Sequence, residues 1–326
     1  MGRGNELMAR FLRHARVFSP YYAVLELCAV VDRPISLRLH KPFSRHILSL
    51  KERYIMKWAR RFFVKQIQQY RNRPPVNANH KDVGVIWLCW LQGIDQAPSF
   101  VKGMIERIGQ HANGHEIRLV TLKNYKKYCD LPQHFIERYE NGEMPQQQFA
   151  DVLRAGLLAQ QGGLWIDVSM LVVHDIPEEV FTLPIYNVKG IKPNAIRDAV
   201  ACDCTEWQAY FLGSQRESVT YSFIYECFLY YWEHYDTLID YFLFSYLAKI
   251  AREDLIGGMQ EYASVPANNA CCEQLSDYLM QGLPFDSTVL RRIEEGSTFV
   301  YKLTWKGEYP KIAKDGTPTL ASVLLP

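Results

Sequence analysis

At 326 residues, 48% of them hydrophobic, the chain can bury a substantial core, as one large domain with an extension or as two small ones. No apolar run approaches the ~20 residues that span a bilayer, and Met1 to Arg16 holds no continuous apolar stretch of a secretion signal, so a cytoplasmic protein is expected. The net charge of +2 hides an asymmetry: residues 1–73 hold 16 basic and 4 acidic residues, a net of +12, against −10 for the remainder, which points the N-terminal part toward an anionic partner.

The basic first segment, residues 1–79, reads as a helical N-terminal extension. Tyr21 to Val31 predicts a short helix, and Pro34 and Pro42 interrupt the chain after it. Ser44 caps a long helix from about 45 to 71, with Ile47, Leu50, Tyr54, Trp58 and Phe62 at helical spacing. Arginines and lysines cover much of its other side. Such a helix over residues 44–71 suits the surface of an anionic membrane, and equally suits docking on the main domain with a solvated basic face. No nucleic-acid partner is expected, because no recognised module accompanies the charge. Residues 71–79, with two prolines and three asparagines, read as a linker.

From residue 80 the pattern changes to alternating strands and helices, an α/β domain over 80–326. Val83 to Trp90 predicts a buried strand, 99–109 a helix and 116–121 a second strand. That unit calls for a parallel pair with a right-handed crossover. Short helices come next at 124–129 and 133–139, then a longer one at 146–161. A strand at 164–168, continued by 171–173, precedes Pro177. Ligands of such sheets sit beyond the carboxyl ends of the strands, where Gln92, Asp167 and Ser169 fall. The eight cysteines form no framework: Cys202-x-Cys204 is too short for a zinc knuckle, Cys271-Cys272 are adjacent, and reduced, mostly buried thiols are expected.

Asp151 to Ser169 is the most informative stretch. Asp151 and Arg154 share a helix face, Leu153, Leu157 and Leu158 form an apolar stripe, and Gly162-Gly163 stops the helix and permits a tight reversal. Leu164-Trp165-Ile166 then suits a buried strand, and Asp167 and Ser169 point to one side of the extended chain. Asp151, Arg154, Leu158, Gly162, Gly163, Trp165, Asp167 and Ser169 together resemble the signature of the capsular polysaccharide synthesis proteins and the related sugar-binding enzymes of glycosyltransferase family 32. Ile86 to Gly93 with Pro98, Leu238 to Leu243 and Val300 to Lys306 also resemble segments of that family. The resemblance covers roughly residues 80–310 and leaves 1–79 unmatched.

The resemblance implies a GT-A type nucleotide-sugar-binding sandwich with a mainly parallel sheet. It implies a glycosyltransferase that uses a nucleotide-sugar donor and a glycan or lipid-linked acceptor, in capsule or lipopolysaccharide assembly at the inner face of a bacterial membrane, with retention of configuration. By resemblance, Asp151 and Arg154 hold the sugar hydroxyls, Arg154 also reaches a phosphate, and Asp167 completes the catalytic set. Trp87, Trp90 and Gln92 are candidates for holding the base, with core packing the alternative for both tryptophans. Gly163 belongs to the same donor-binding set. Related enzymes hold a divalent cation on Asp-x-Asp. Here Asp167 and Ser169 are the candidate ligands, for Mg2+ or Mn2+, with a hydroxyl as the weaker second ligand. Without an ion, Lys302 and Lys306, flanking Trp305, would close over the phosphates, the alternative being an exposed strand with alternating lysines. Asp240 is a candidate for the acceptor side and His174 for a substrate contact. Loops at about 187–222 and 262–290 are expected to set specificity. Two other readings stand beside transfer: a non-catalytic nucleotide-sugar-binding or scaffold protein, favoured by Ser169, and a nucleotide-sugar hydrolase or phosphotransferase.

Overall fold

The computed structural model describes residues 3–39, 44–75, 84–194 and 206–326. The chain opens with four helices, α1 (Arg3–Val17), α2 (Pro20–Leu39), α3 (Arg45–Phe62) and α4 (Val64–Tyr70). Pro34 does not interrupt α2 but lies inside it. The Ser36 hydroxyl, two residues on, donates to the Asp32 carboxylate at 2.9 Å, and packing of Tyr22 and Leu25 clamps the preceding turns. Ser44 caps α3 as expected, its hydroxyl accepting from the Ile47 amide. The single helix expected over 45–71 is two helices, divided at Phe63.

These helices are not an appendage. Tyr22, Ile55, Met56, Ala59, Phe63, Ile67 and Tyr70 belong to the same core as the sheet. The stripe of α3 is spent on protein: Trp58 packs edge-on against Phe18 and Tyr235, and Phe62 against Tyr230 and Tyr235. Of the two readings of residues 44–71, docking describes this stripe, and the side facing water carries Arg53, Lys57, Arg61 and Lys65. The start of the expected linker is also fixed, since Arg71 bridges Ile256 and the Asn72 amide donates to the Leu255 carbonyl at 2.8 Å. Residues 76–79 of that linker, Val83 and Pro42 lie outside the described residues, as do Cys202 and Cys204. The other six cysteines are free thiols.

The central sheet runs in the order β2-β1-β3-β6-β5. Its strands are β1 (Ile86–Cys89), β2 (Ile117–Val120), β3 (Gly163–Ile166), β5 (Ile185–Asn187) and β6 (Phe211–Ser214). β1 pairs parallel with β2 and β3, joined through α5 (Ser99–Gln110), α6 (Gln133–Glu140) and α7 (Gln146–Gln160). The predicted helices and strands of residues 84–168 are therefore present, with 124–129 reduced to a single 3-10 turn, but 171–173 does not continue the strand before it: the chain turns at 167–170 into a strand of a separate sheet. The sheet is mixed but mainly parallel: β2, β1, β3 and β5 point the same way, and β6 alone runs antiparallel, between β3 and β5. After β5 the chain folds back alongside itself as β6, and such a return needs no helical crossover. A two-stranded ribbon, β4 (Met170–Val172) with β7 (Val300–Lys302), lies beside the sheet over a second apolar cluster that includes Met104, Leu171, Leu279 and Leu320.

α7 is buried from Gln148 through Ala159, between the sheet and the aromatic helix Val219–His234. Its expected apolar stripe on one face is thus a helix buried nearly all round, with Gln146, Gln147 and Ala150 left at least partly open. Gly162 and Gly163 end it with φ of 69° and 90°. A Cβ on Gly163 would stand 2.4 Å from the Val85 carbonyl, so only glycine allows β3 to leave the turn this close to β1.

Candidate functional site

Asp167 stands at the carboxyl end of β3, and the chain reverses there at once. The Met170 amide donates to the Asp167 carbonyl at 2.9 Å, so residues 167–170 turn tightly into β4. β4 then pairs with β7 in the register Met170 to Lys302. That register sets the Lys302 ammonium beside the turn, where it donates to Asp167 Oδ2 at 3.0 Å and to Ser169 Oγ at 2.9 Å. Asp167 Oδ1 accepts from Trp165 Nε1 at 2.9 Å and lies 3.4 Å from Arg154 Nη2. Arg154 arrives from α7, stacks over the Trp165 ring at 4.8 Å and donates from Nη1 to the Ala209 carbonyl at 2.5 Å. Its Nη2 is also 3.5 Å from Asp151 Oδ1.

The two carboxylates titrate in opposite directions. Burial opposes ionisation of Asp167, but Lys302, Arg154 and the Trp165 hydrogen bond outweigh it and hold its carboxyl below the usual range. Asp151 is buried deeper. Desolvation there exceeds the pull of Arg154, and the nearby Asp167 charge adds to it, so its carboxyl is pushed up to about 7. Asp167 is therefore the permanent anion of the pair, and Asp151 is half protonated near neutral pH.

Arg154, Trp165, Asp167, Ser169 and Lys302 form the floor of a cleft of about 660 Å³, which falls in the ~300–1,000 Å³ range of small-molecule sites. Trp90 and Gln92 enter from the loop after β1, Gln146 and Gln147 from the first turn of α7, and residues 303–306 from the segment after β7. Trp90 and Trp305 meet edge to face at 5.8 Å, and the Lys306 ammonium lies 5.2 Å from the Trp305 ring. Tyr241, 57% exposed, stands at the mouth. The charged groups lining the cleft are Arg154, Lys302, Lys306 and Asp167. Three cations against one carboxylate give a surface of net +2, suited to an anion with aromatic flanks.

Of the residues singled out from the sequence, Trp90, Gln92, Arg154, Asp167, Ser169, Lys302, Trp305 and Lys306 come together here. Others do not. Trp87 is only 1% exposed, with Nε1 donating to the Gly162 carbonyl at 2.8 Å, because strand alternation turns it into the core. Gly163 begins β3, at the opposite end of the strand from Asp167. Asp151 does not line the cleft but stands behind Arg154, and positions it. His174 bonds the Ile293 carbonyl outside the cleft. Asp240 is buried, ion-paired with Lys51 at 2.6 Å, and its neighbour Tyr241 takes the place at the mouth. Among the described residues, neither proposed specificity segment lines this cleft; 195–205 lie outside them. Tyr241, Gln146 and Gln147 were not anticipated. The last two had a signal, a pair of amides opening a helix directly after Pro145 at the sheet's carboxyl edge.

The donor set does not fit a divalent cation as arranged. Asp167 and Ser169 supply one carboxylate and one hydroxyl, and the Lys302 ammonium bridges both. Among the described residues no group of three or more His, Cys, Asp or Glu stands ready to hold a metal ion.

Residues 36–320 match the family model described as capsular polysaccharide synthesis protein, and the chain belongs to that family. The match begins inside α2, so it takes in α3 and α4, which lie outside the resemblance over 80–310. A search of curated proteins gives no match.

Proposed function

We propose that this member of the capsular polysaccharide synthesis family is a glycosyltransferase, moving a sugar from a nucleoside-diphosphate donor to a glycan or lipid-linked acceptor in capsule assembly. One observation carries the reading: at the floor of the cleft Arg154 and Lys302 flank the single ionised carboxylate, Asp167, below a rim of Trp90 and Trp305. The two cations, with Lys306, suit a diphosphate, and the tryptophans suit a base or sugar face. Asp167 accepts hydrogen bonds from sugar or ribose hydroxyls.

In this reading the bond between the anomeric carbon and the donor's phosphate oxygen breaks, and charge builds on the departing diphosphate. Lys302 and Arg154 neutralise it from fixed positions, which is where electrostatic catalysis acts. The acceptor oxygen bonds the anomeric carbon, and its proton passes to the departing phosphate oxygen. Retention, implied by the resemblance to family 32, then results from departure and attack on one face, since Asp167 is the only carboxylate among the described residues that line the cleft. Lys302 takes the electrostatic role of the divalent cation of Asp-x-Asp enzymes, and Ser169 serves as a ligand of Lys302.

Calorimetric titration with a panel of nucleotide sugars, with and without Mn2+, tests this. One donor should bind without the ion, and Asp167→Ala should lose it. Absence of binding by every donor under both conditions would favour the scaffold reading, which rests on Ser169 in place of a second carboxylate. Release of free sugar at full rate with no acceptor present would favour the hydrolase reading.

A further inference from the structure

Inward, α2 is fully engaged. The Tyr22 hydroxyl donates to the Ile239 carbonyl, and Lys51 ties Glu26, at 2.7 Å, to Asp240, at 2.6 Å. Outward, the same helix presents Tyr21, Val24, Val31, Ile35 and Leu39, between 40% and 56% exposed. Their spacing places them in one stripe along the helix. Single exposed apolar residues are ordinary, but five in one row on one helix mark an interaction surface.

Charge identifies what the stripe meets. On α1 and α2, Arg13, Arg16, Arg33 and Arg38 are exposed, while Glu26 and Asp32 are buried. Glu6 is the one exposed carboxylate among the described residues of the pair. A second copy would bring two such basic faces together. A nucleic acid would leave the apolar row in water. An anionic lipid surface satisfies both parts at once, with apolar side chains in the headgroup boundary and arginines on the phosphates. Among the described residues no helix is long and apolar enough to cross a membrane, so the contact is one of lying on the surface.

The helix that carries the stripe also abuts the segment leading to the cleft. The segment that α2 grips at Ile239 runs on to Tyr241 at the cleft mouth. We propose that the outward face of α2 docks on an anionic bilayer and brings the cleft mouth to the lipid surface. On the sugar-transfer reading, this selects an acceptor carried on lipid over a free glycan.

Co-sedimentation of the full chain with vesicles tests the docking without any donor. Vesicles of phosphatidylcholine and phosphatidylglycerol should carry the protein down, and vesicles of phosphatidylcholine alone should leave it in solution. A Val24→Glu, Val31→Glu double variant, with unchanged circular dichroism and unchanged donor titration, should bind the anionic vesicles about tenfold or more weakly. Wild-type protein that stays in solution with both vesicle types overturns the proposal, as does equal binding to both or equal binding by the variant. A dimer in sedimentation equilibrium that the variant converts to monomer assigns the stripe to a second copy and overturns it too. Loss of donor binding with docking intact would instead strike the transferase reading alone.

Discussion

The ammonium of Lys302 lies 3.0 Å from a carboxylate oxygen of Asp167, although the two residues are 135 positions apart. The antiparallel register of β4 on β7 places the lysine there, and on the sugar-transfer reading this contact makes the ammonium the electrophile of the cleft.

Replacing that ammonium tests the assignment directly. Lys302→Met should lower turnover about 10²–10³-fold, the loss seen when one preorganised partner of a developing anion is removed. A chelator should leave the wild-type rate unchanged. In Lys302→Ala, the freed Asp167 and Ser169 should make the residual rate respond to Mn2+. Initial rates of nucleoside diphosphate release, with and without chelator, check all three statements.

Arg154 serves stability as well as binding. Its side chain is 5% exposed, and Arg154→Met would leave Asp151 and Asp167 without their shared partner. Breaking a buried pair in this way costs ~3–5 kcal/mol, read as a lower urea midpoint. Arg154→Lys keeps the charge but loses the stack on Trp165 and the forked contacts, so it should retain most of the stability and lose much of the donor affinity.

Asp151 should leave its mark on the pH dependence of stability. Its carboxyl rises from 3.8 to about 7 on folding, chiefly through burial. The native state therefore holds this proton more tightly than the unfolded chain. The contribution is fully present below the unfolded value, and is lost as pH rises through the window up to about 7. Thermal melts across that window should show wild-type stability falling relative to Asp151→Asn, which carries no titrating group. A constant difference between the two would refute the shift.

Gly163→Ala combines two costs. Its φ of 90° disfavours any side chain, and the new Cβ would meet the Val85 carbonyl at 2.4 Å. Backbone strain alone costs ~1–3 kcal/mol, and the collision adds to it. The denaturation midpoint should fall, while donor affinity of the folded fraction should change little, because Gly163 sits at the far end of β3 from Asp167.

The helix-turn-strand of residues 146–167 was legible because its signals are local: an apolar stripe at helical spacing, a double glycine, then an apolar run ending on a carboxylate. β1, β2 and α5 were legible for the same reason. What failed was set at long range. Pro34 lies inside α2 against its local preference. β6 runs antiparallel because of how the chain returns from β5, which composition does not encode. Trp87 and Trp90 look alike as a pair at the end of an apolar run, yet one faces the core and the other the cleft, and only the true end of β1 decides which. The meeting of Lys302 with Asp167 depends on a ribbon between distant segments. Its lysine was visible as a candidate, its place on the carboxylate was not.

The early helices are fastened to the late ones. Tyr22 reaches the Ile239 carbonyl across 217 residues, and the Tyr70 hydroxyl reaches Glu226 across 156. During synthesis at a ribosome the first 70 residues therefore emerge long before their partners, with Trp58, Phe62 and Phe63 bare. Contacts of such separation close slowly, and an aromatic surface left waiting is prone to aggregate. A chain released early, anywhere before the helix Val219–His234, would carry this sticky face with nothing to cover it, so recombinant fragments of the N-terminal half should be recovered from the insoluble fraction.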